Sequence, residues 1–80
     1  MTVRVLLFAS YADVLGGPEI RLDLPDGSTV RELLDALRRR PGAHRLPPAP
    51  LVAVNQRYAG LGTPVTAADE VAIIPPVAGG

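Results

Sequence analysis

Apolar residues occupy both parities of the opening stretch: Val3, Val5 and Leu7 on one, Leu6 and Phe8 on the other, interrupted by Arg4. A β-rich run from Thr2 to Ala9 with two mainly apolar faces predicts a central strand. Between Glu19 and Leu24 the alternation is clean, with Ile20, Leu22 and Leu24 on one side and Glu19, Arg21 and Asp23 on the other. That pattern predicts a strand with one wet face. Ser10 to Gly17, between the two, reads as a short helical turn closed by Gly16-Gly17. Pro25-Asp26-Gly27 forms the turn that ends the second strand.

The period changes at Thr29. Thr29-Val30-Arg31-Glu32 is a capping box with Thr29 as N-cap and Glu32 at N3. Val30, Leu33, Leu34 and Leu37 follow at helical spacing, predicting an amphipathic helix from Val30 to about Arg39, stopped by Pro41-Gly42. Arg38-Arg39-Arg40 falls where the helix dipole favours cations. Ala43 to Pro50 contains Pro47, Pro48 and Pro50 and predicts a loop. Leu51 to Val54 is a short apolar strand leading into Asn55-Gln56-Arg57-Tyr58, where Asn55 suits a turn position with positive φ. A second loop from Gly60 to Ala68 precedes a final strand, Val71 to Ile74.

Strand, strand, helix, strand, minor strand, strand is the order of an α+β domain with its helix on one sheet face. The expected fold is a mixed sheet of four to five strands packed against one main helix, with the last strand beside the first in mid-sheet. This is the ubiquitin-like β-grasp arrangement. Residues 1–74 form the domain, and residues 75–80 form a tail.

Composition narrows the function. Eighty residues make one domain, and such a short chain buries only about 60% of its unfolded surface. A net charge of zero argues against a nucleic-acid partner. The absence of cysteine removes disulfides, thiolate nucleophiles and thiolate metal sites. The longest wholly apolar run, Val5 to Ala9, is far short of the about 20 residues that span a bilayer. Nor does it suit a signal peptide; the expected location is cytoplasmic, with no membrane partner. Every basic residue is arginine. That fits a coding bias first; the sharper reading is a chain whose activated end would gain from having no ε-amines nearby.

The side chains supply no evident active site. His44 is the only histidine and sits in a Pro/Gly-rich loop, so neither a histidine triad nor a multi-histidine metal site is available; no metal is expected. Asp23 and Asp26 flank a turn, and Asp69 with Glu70 precede a strand, places where carboxylates commonly serve solubility. Gly16-Gly17-Pro18 lacks the strand–loop–helix setting of a phosphate loop. The tail differs from all of these. Pro75-Pro76 ends the last strand, and Val77, Ala78, Gly79 and Gly80 follow as a narrow ribbon. Six extended residues reach roughly 20 Å. From Val71 onward no side chain is charged, which leaves the α-carboxylate of Gly80 as the candidate reacting group.

These features resemble the ubiquitin-like sulfur carriers, and within them the small subunit of molybdopterin synthase (MoaD). The likeness runs through Arg4-Val5-Leu6-Leu7-Phe8-Ala9, Leu15-Gly16, Thr29-Val30-Arg31-Glu32-Leu33, Leu51-Val52-Ala53-Val54-Asn55-Gln56, Asp69-Glu70-Val71-Ala72 and the terminal Pro-Pro-Val-Ala-Gly-Gly. One departure is Ala68, where the family often has glycine. The resemblance implies that a ubiquitin-activating-type, MoeB-like enzyme consumes ATP to adenylate Gly80, after which a sulfur donor leaves a thiocarboxylate there. By the same resemblance the chain itself would bind no cofactor and would be no enzyme alone. Pro75, Pro76, Val77, Ala78 and Gly79 would thread into a large subunit resembling MoaE, which would use the sulfur to build the pterin dithiolene.

Phe8, Tyr58 and Ile74 match the family's apolar docking face, although strand alternation leaves Phe8 and Ile74 equally suited to the core. Other readings are a carrier for thiamine, tRNA or cysteine synthesis, a ubiquitin-like protein modifier, and a binding module with an inert tail.

Overall fold

The computed structural model describes residues 1–45 and 51–74. The expected tail, Pro75, Pro76, Val77, Ala78, Gly79 and Gly80, lies outside them, as does the 46–50 part of the Pro-rich loop. The elements in chain order are β1 (Thr2–Leu7), α1 (Ala9–Leu15), β2 (Glu19–Asp23), α2 (Val30–Arg38), a 3-10 turn (Ala43–Arg45), β3 (Leu51–Val54), β4 (Arg57–Tyr58) and β5 (Val71–Ile74). The strands form one sheet in the order β2-β1-β5-β3-β4. Strand β1 is internal, as its two apolar faces require. It runs antiparallel to β2, with Val3 opposite Leu22 and Val5 opposite Ile20. On its other side it is parallel to β5, with Val5 opposite Val71 and Leu7 opposite Ile73. Strand β3 closes antiparallel on β5 and carries the two-residue β4 at the edge. The mixed five-stranded sheet with one main helix is the expected β-grasp.

One sheet face is covered. Val3, Val5 and Leu7 of β1, Ile20 and Leu22 of β2, Val52 of β3, and Val71 and Ile73 of β5 are all buried there. Val30, Leu33, Leu34 and Leu37 of α2 pack against them, joined by Tyr11 and Leu15 of α1. Full burial of each such aliphatic side chain contributes about 1.5–3 kcal/mol. Helix α2 begins as its sequence dictates: the Thr29 backbone N–H donates to Glu32 Oε2 at 3.2 Å, and the Thr29 hydroxyl donates to the same carboxylate. The 60–65 loop supplies acceptors for two further N–H groups that a helix start leaves unpaired. Val30 N donates to the Thr63 carbonyl at 2.9 Å and Arg31 N to that of Leu61 at 3.0 Å. Val65 anchors this loop in the core at 1% exposure.

The largest departures from the sequence pattern lie at the end of β1 and in the loop after α2. Strand β1 stops at Leu7 rather than Ala9, because extended Phe8 serves as N-cap of α1. That helix ends at Gly16, whose left-handed φ of 97° turns the Gly17 N–H back onto the Ala12 carbonyl at 2.8 Å. The predicted loop from Ala43 opens with a 3-10 turn that buries Ala43.

Candidate functional site

Among the described residues the opposite sheet face carries no helix. Because alternation sends Val3, Val5 and Leu7 inward, Leu6 and Phe8 emerge on the open side, as do Ala72 and Ile74 of β5. The parallel register of β1 and β5, with Leu7 beside Ile73, brings Phe8 next to Ile74. Leu51 lies opposite Ile74, Ala53 opposite Ala72, and Tyr58 opposite Ala53. The result is an apolar groove of about 310 Å³ lined by Phe8, Tyr58, Ile74, Ala53, Ala72 and Gln56, with Glu70 at its border. Phe8 is 49% exposed and Tyr58 75% exposed. The structure thus brings Phe8, Tyr58 and Ile74 together outside the core. Ala53 and Ala72, small and paired, form a floor below the larger side chains. They were missed in the sequence, although alanines facing each other in two apolar strands are the signal for such a recess.

A polar clasp fixes the rim. Asn55 and Gln56 turn from β3 into β4 with φ of 53° and 69°. Asn55 Nδ2 donates to Asp69 Oδ1 at 2.9 Å, and Glu70 N donates to Asn55 Oδ1 at 3.0 Å. Asn55 N in turn donates to the Glu70 carbonyl at 2.8 Å, while Thr66 N donates to Asp69 Oδ2 at 2.8 Å. The Asn55 amide, followed by the Thr66 N–H, holds the Asp69 carboxyl below its ordinary value of 3.8. Hydrogen bonding to the charged form is what lowers it. The clasp ties the hairpin that bears Tyr58 to the residues entering β5, and so sets one groove wall relative to the other.

Below the groove, toward the start of β1, the open face turns polar. A second recess of about 530 Å³ is lined by Thr2, Arg4, Arg21, Asn55, Asp69 and Glu70, among others. The Arg38–Arg40 run belongs to the helical layer, with Arg38 3.8 Å from Asp35. His44 is exposed in the 3-10 turn and lines neither recess. Among the described residues no group of three or more His, Cys, Asp or Glu could hold a metal. Nor is any helix there long and apolar enough to cross a membrane. Strand β5 leaves Ile74 on the groove wall, immediately before Pro75.

A β-grasp body, with an apolar face beside the strand that leads to Gly79-Gly80, is the architecture of a ubiquitin-like protein. The chain belongs to the ThiS family, whose model matches residues 5–80. It is 37% identical over 79 residues to the molybdopterin synthase sulfur carrier subunit of Arabidopsis thaliana, covering 98% of this chain and 82% of that one. The crystal structure of SAMP1, small archaeal modifier protein 1 of Haloferax volcanii, matches with a TM-score of 0.81 at 34% identity over 100% of both chains. A chain in the complex of subunits 1 and 2 of molybdopterin-converting factor from Helicobacter pylori has a TM-score of 0.70 at 23% identity, again over 100% of both. That last likeness is one of fold.

Proposed function

We propose that the chain is a sulfur carrier acting as the small subunit of molybdopterin synthase. The observation that carries this reading is the groove of Phe8, Tyr58 and Ile74, set where β5 leads into the Pro-Pro-Val-Ala-Gly-Gly segment. The sulfur carrier of Arabidopsis supports it. A carboxylate is a poor electrophile, so Gly80 is first joined to AMP by a ubiquitin-activating-type, MoeB-like enzyme that cleaves ATP to pyrophosphate. A sulfur donor then displaces AMP and leaves a thiocarboxylate. The globular body docks through the groove on a MoaE-like large subunit, while the tail delivers its sulfur to the pterin precursor. Gly79 and Gly80 offer no β-carbon to a narrow channel. Pro75 and Pro76, already restricted in φ, reduce the ordering cost of threading. ATP is consumed by the partner, and this chain needs no cofactor of its own.

Intact-mass measurement after co-expression with the adenylating enzyme and a sulfur donor should show one oxygen replaced by sulfur. An unchanged mass, in a system that converts another carrier, would overturn the proposal. A second reading, a protein modifier, draws on the likeness to small archaeal modifier protein 1. It predicts Gly80 in isopeptide linkage to lysines of other proteins in cell digests.

A further inference from the structure

The polar recess has an unusual charge layout. Arg4 and Arg21 are direct cross-strand partners, and both line it. Like charges placed opposite each other destabilise an antiparallel pair. Arg4 has partial relief from Glu19, with Nε 3.6 Å from Oε1, but both side chains are substantially exposed, where such a pair contributes little. Arg21 has no ionic or hydrogen-bonding side-chain partner among the described residues. On the other wall the Asp69 carboxylate accepts from Asn55 and the Thr66 N–H, neutral donors that hold it in place and leave its charge intact. The half-buried Glu70 side chain has no partner among the described residues and borders both recesses. The domain therefore keeps two close cations on one wall and two carboxylates on the other, of which Glu70 is the one with no bound donor among the described residues.

A small free anion would gain from Arg4 and Arg21 but meet Glu70 across the recess. A protein surface presenting both signs satisfies both walls. We propose that this recess is the second half of the docking face and receives an acid–base pair of side chains from the large subunit of molybdopterin synthase. The partner's carboxylate lies over Arg4 and Arg21, and its cation against Glu70. This assignment rests on the proposed function and adds the chemistry of the partner's surface. Arg4 and Phe8 are four residues apart on one extended stretch. At a rise of about 3.3 Å per residue, the partner's carboxylate sits about 13 Å from the group that contacts Phe8. The apolar half supplies contact area; the charged half steers approach and fixes register.

The test is the association rate of the full chain with the purified large subunit, followed by stopped flow across ionic strength. Arg21→Glu should slow association on the order of three- to tenfold at low salt, with the difference fading at high salt. Its denaturation midpoint should stay equal or rise, because the Arg4–Arg21 repulsion is gone. Phe8→Ala should accelerate dissociation while leaving the salt dependence unchanged. If Arg21→Glu associated like the wild type at every salt concentration, the proposal would be overturned. Slowing seen only with the adenylating enzyme would overturn the choice of partner. A wild-type chain that never bound the large subunit would overturn the functional reading as well, which separates the two failures.

Discussion

Asp69, half-buried at the rim of the polar recess, shows how one side chain can also matter to the apolar groove beside it. Both of its oxygens accept hydrogen bonds, from Asn55 and from the Thr66 N–H, and its folded pKa lies below the ordinary 3.8. A depressed carboxyl stabilises the fold fully above its unfolded pKa, and that contribution is lost as pH falls through the folded value. Stability should therefore decline below about pH 4. Glu32, held low chiefly by the Thr29 hydroxyl, adds to the same decline. Asp69→Asn should lower the urea midpoint at neutral pH and make the acid decline shallower without abolishing it. A decline as steep as the wild type's would show that the clasp carries none of this dependence. The sequence revealed only part of this arrangement. Asn55 was legible as a turn residue with positive φ, because that preference is local. Asp69 read as a solubility carboxylate, because its partner Asn55 lies 14 residues away.

At the scale of elements, periodicity and punctuation carried most of the information. The two-sided pattern of β1, the capping box of α2 and the alternation of β2 each report a local preference that tertiary packing reinforces. Ala43 escaped notice because a single alanine among Pro and Gly has no period, although the 3-10 turn buries it. The turn from β3 to β4 was legible in position but hid a conflict. Gln56 has a φ of 69°, a conformation that penalises a β-carbon by roughly 1–2 kcal/mol. Glycine removes that penalty but costs about 0.4–1 kcal/mol in unfolded-chain entropy, and Asn-Gly is the favoured pair for such a turn. Gln56→Gly should thus stabilise the domain by about 0.5–1 kcal/mol, read as a melting temperature raised by roughly 2–8 °C. A lowered melting temperature would mean that the Gln56 side chain, which lines the groove, contributes more to the free fold than its backbone costs.

For the whole molecule, the decisive event is the parallel pairing of the last strand with the first. It places Ile73 and Ile74, neighbours in sequence, on opposite sides of the sheet. Alternation alone predicted that they would face apart but could not say which side α2 would cover. The strand register decides this: Val5 pairs with inward Ile20 and with Val71, so Ile73 follows inward and Ile74 outward. Ile73 is 0% exposed, whereas Ile74 stands half-buried on the groove wall. Ile73→Ala should cost about 2–5 kcal/mol, a large share of the roughly 4–12 kcal/mol expected for a domain of this size. Its effect on partner binding should follow the folded fraction alone. Ile74→Ala should cost less than about 1 kcal/mol of folding stability, yet weaken binding to the large subunit about tenfold, as loss of an interface anchor does. Urea titration alongside affinity measured on the folded fraction separates the two variants. If both lost stability and affinity in the same proportion, the open face would be no more than the reverse side of the core, and the site would have to be sought elsewhere on the molecule.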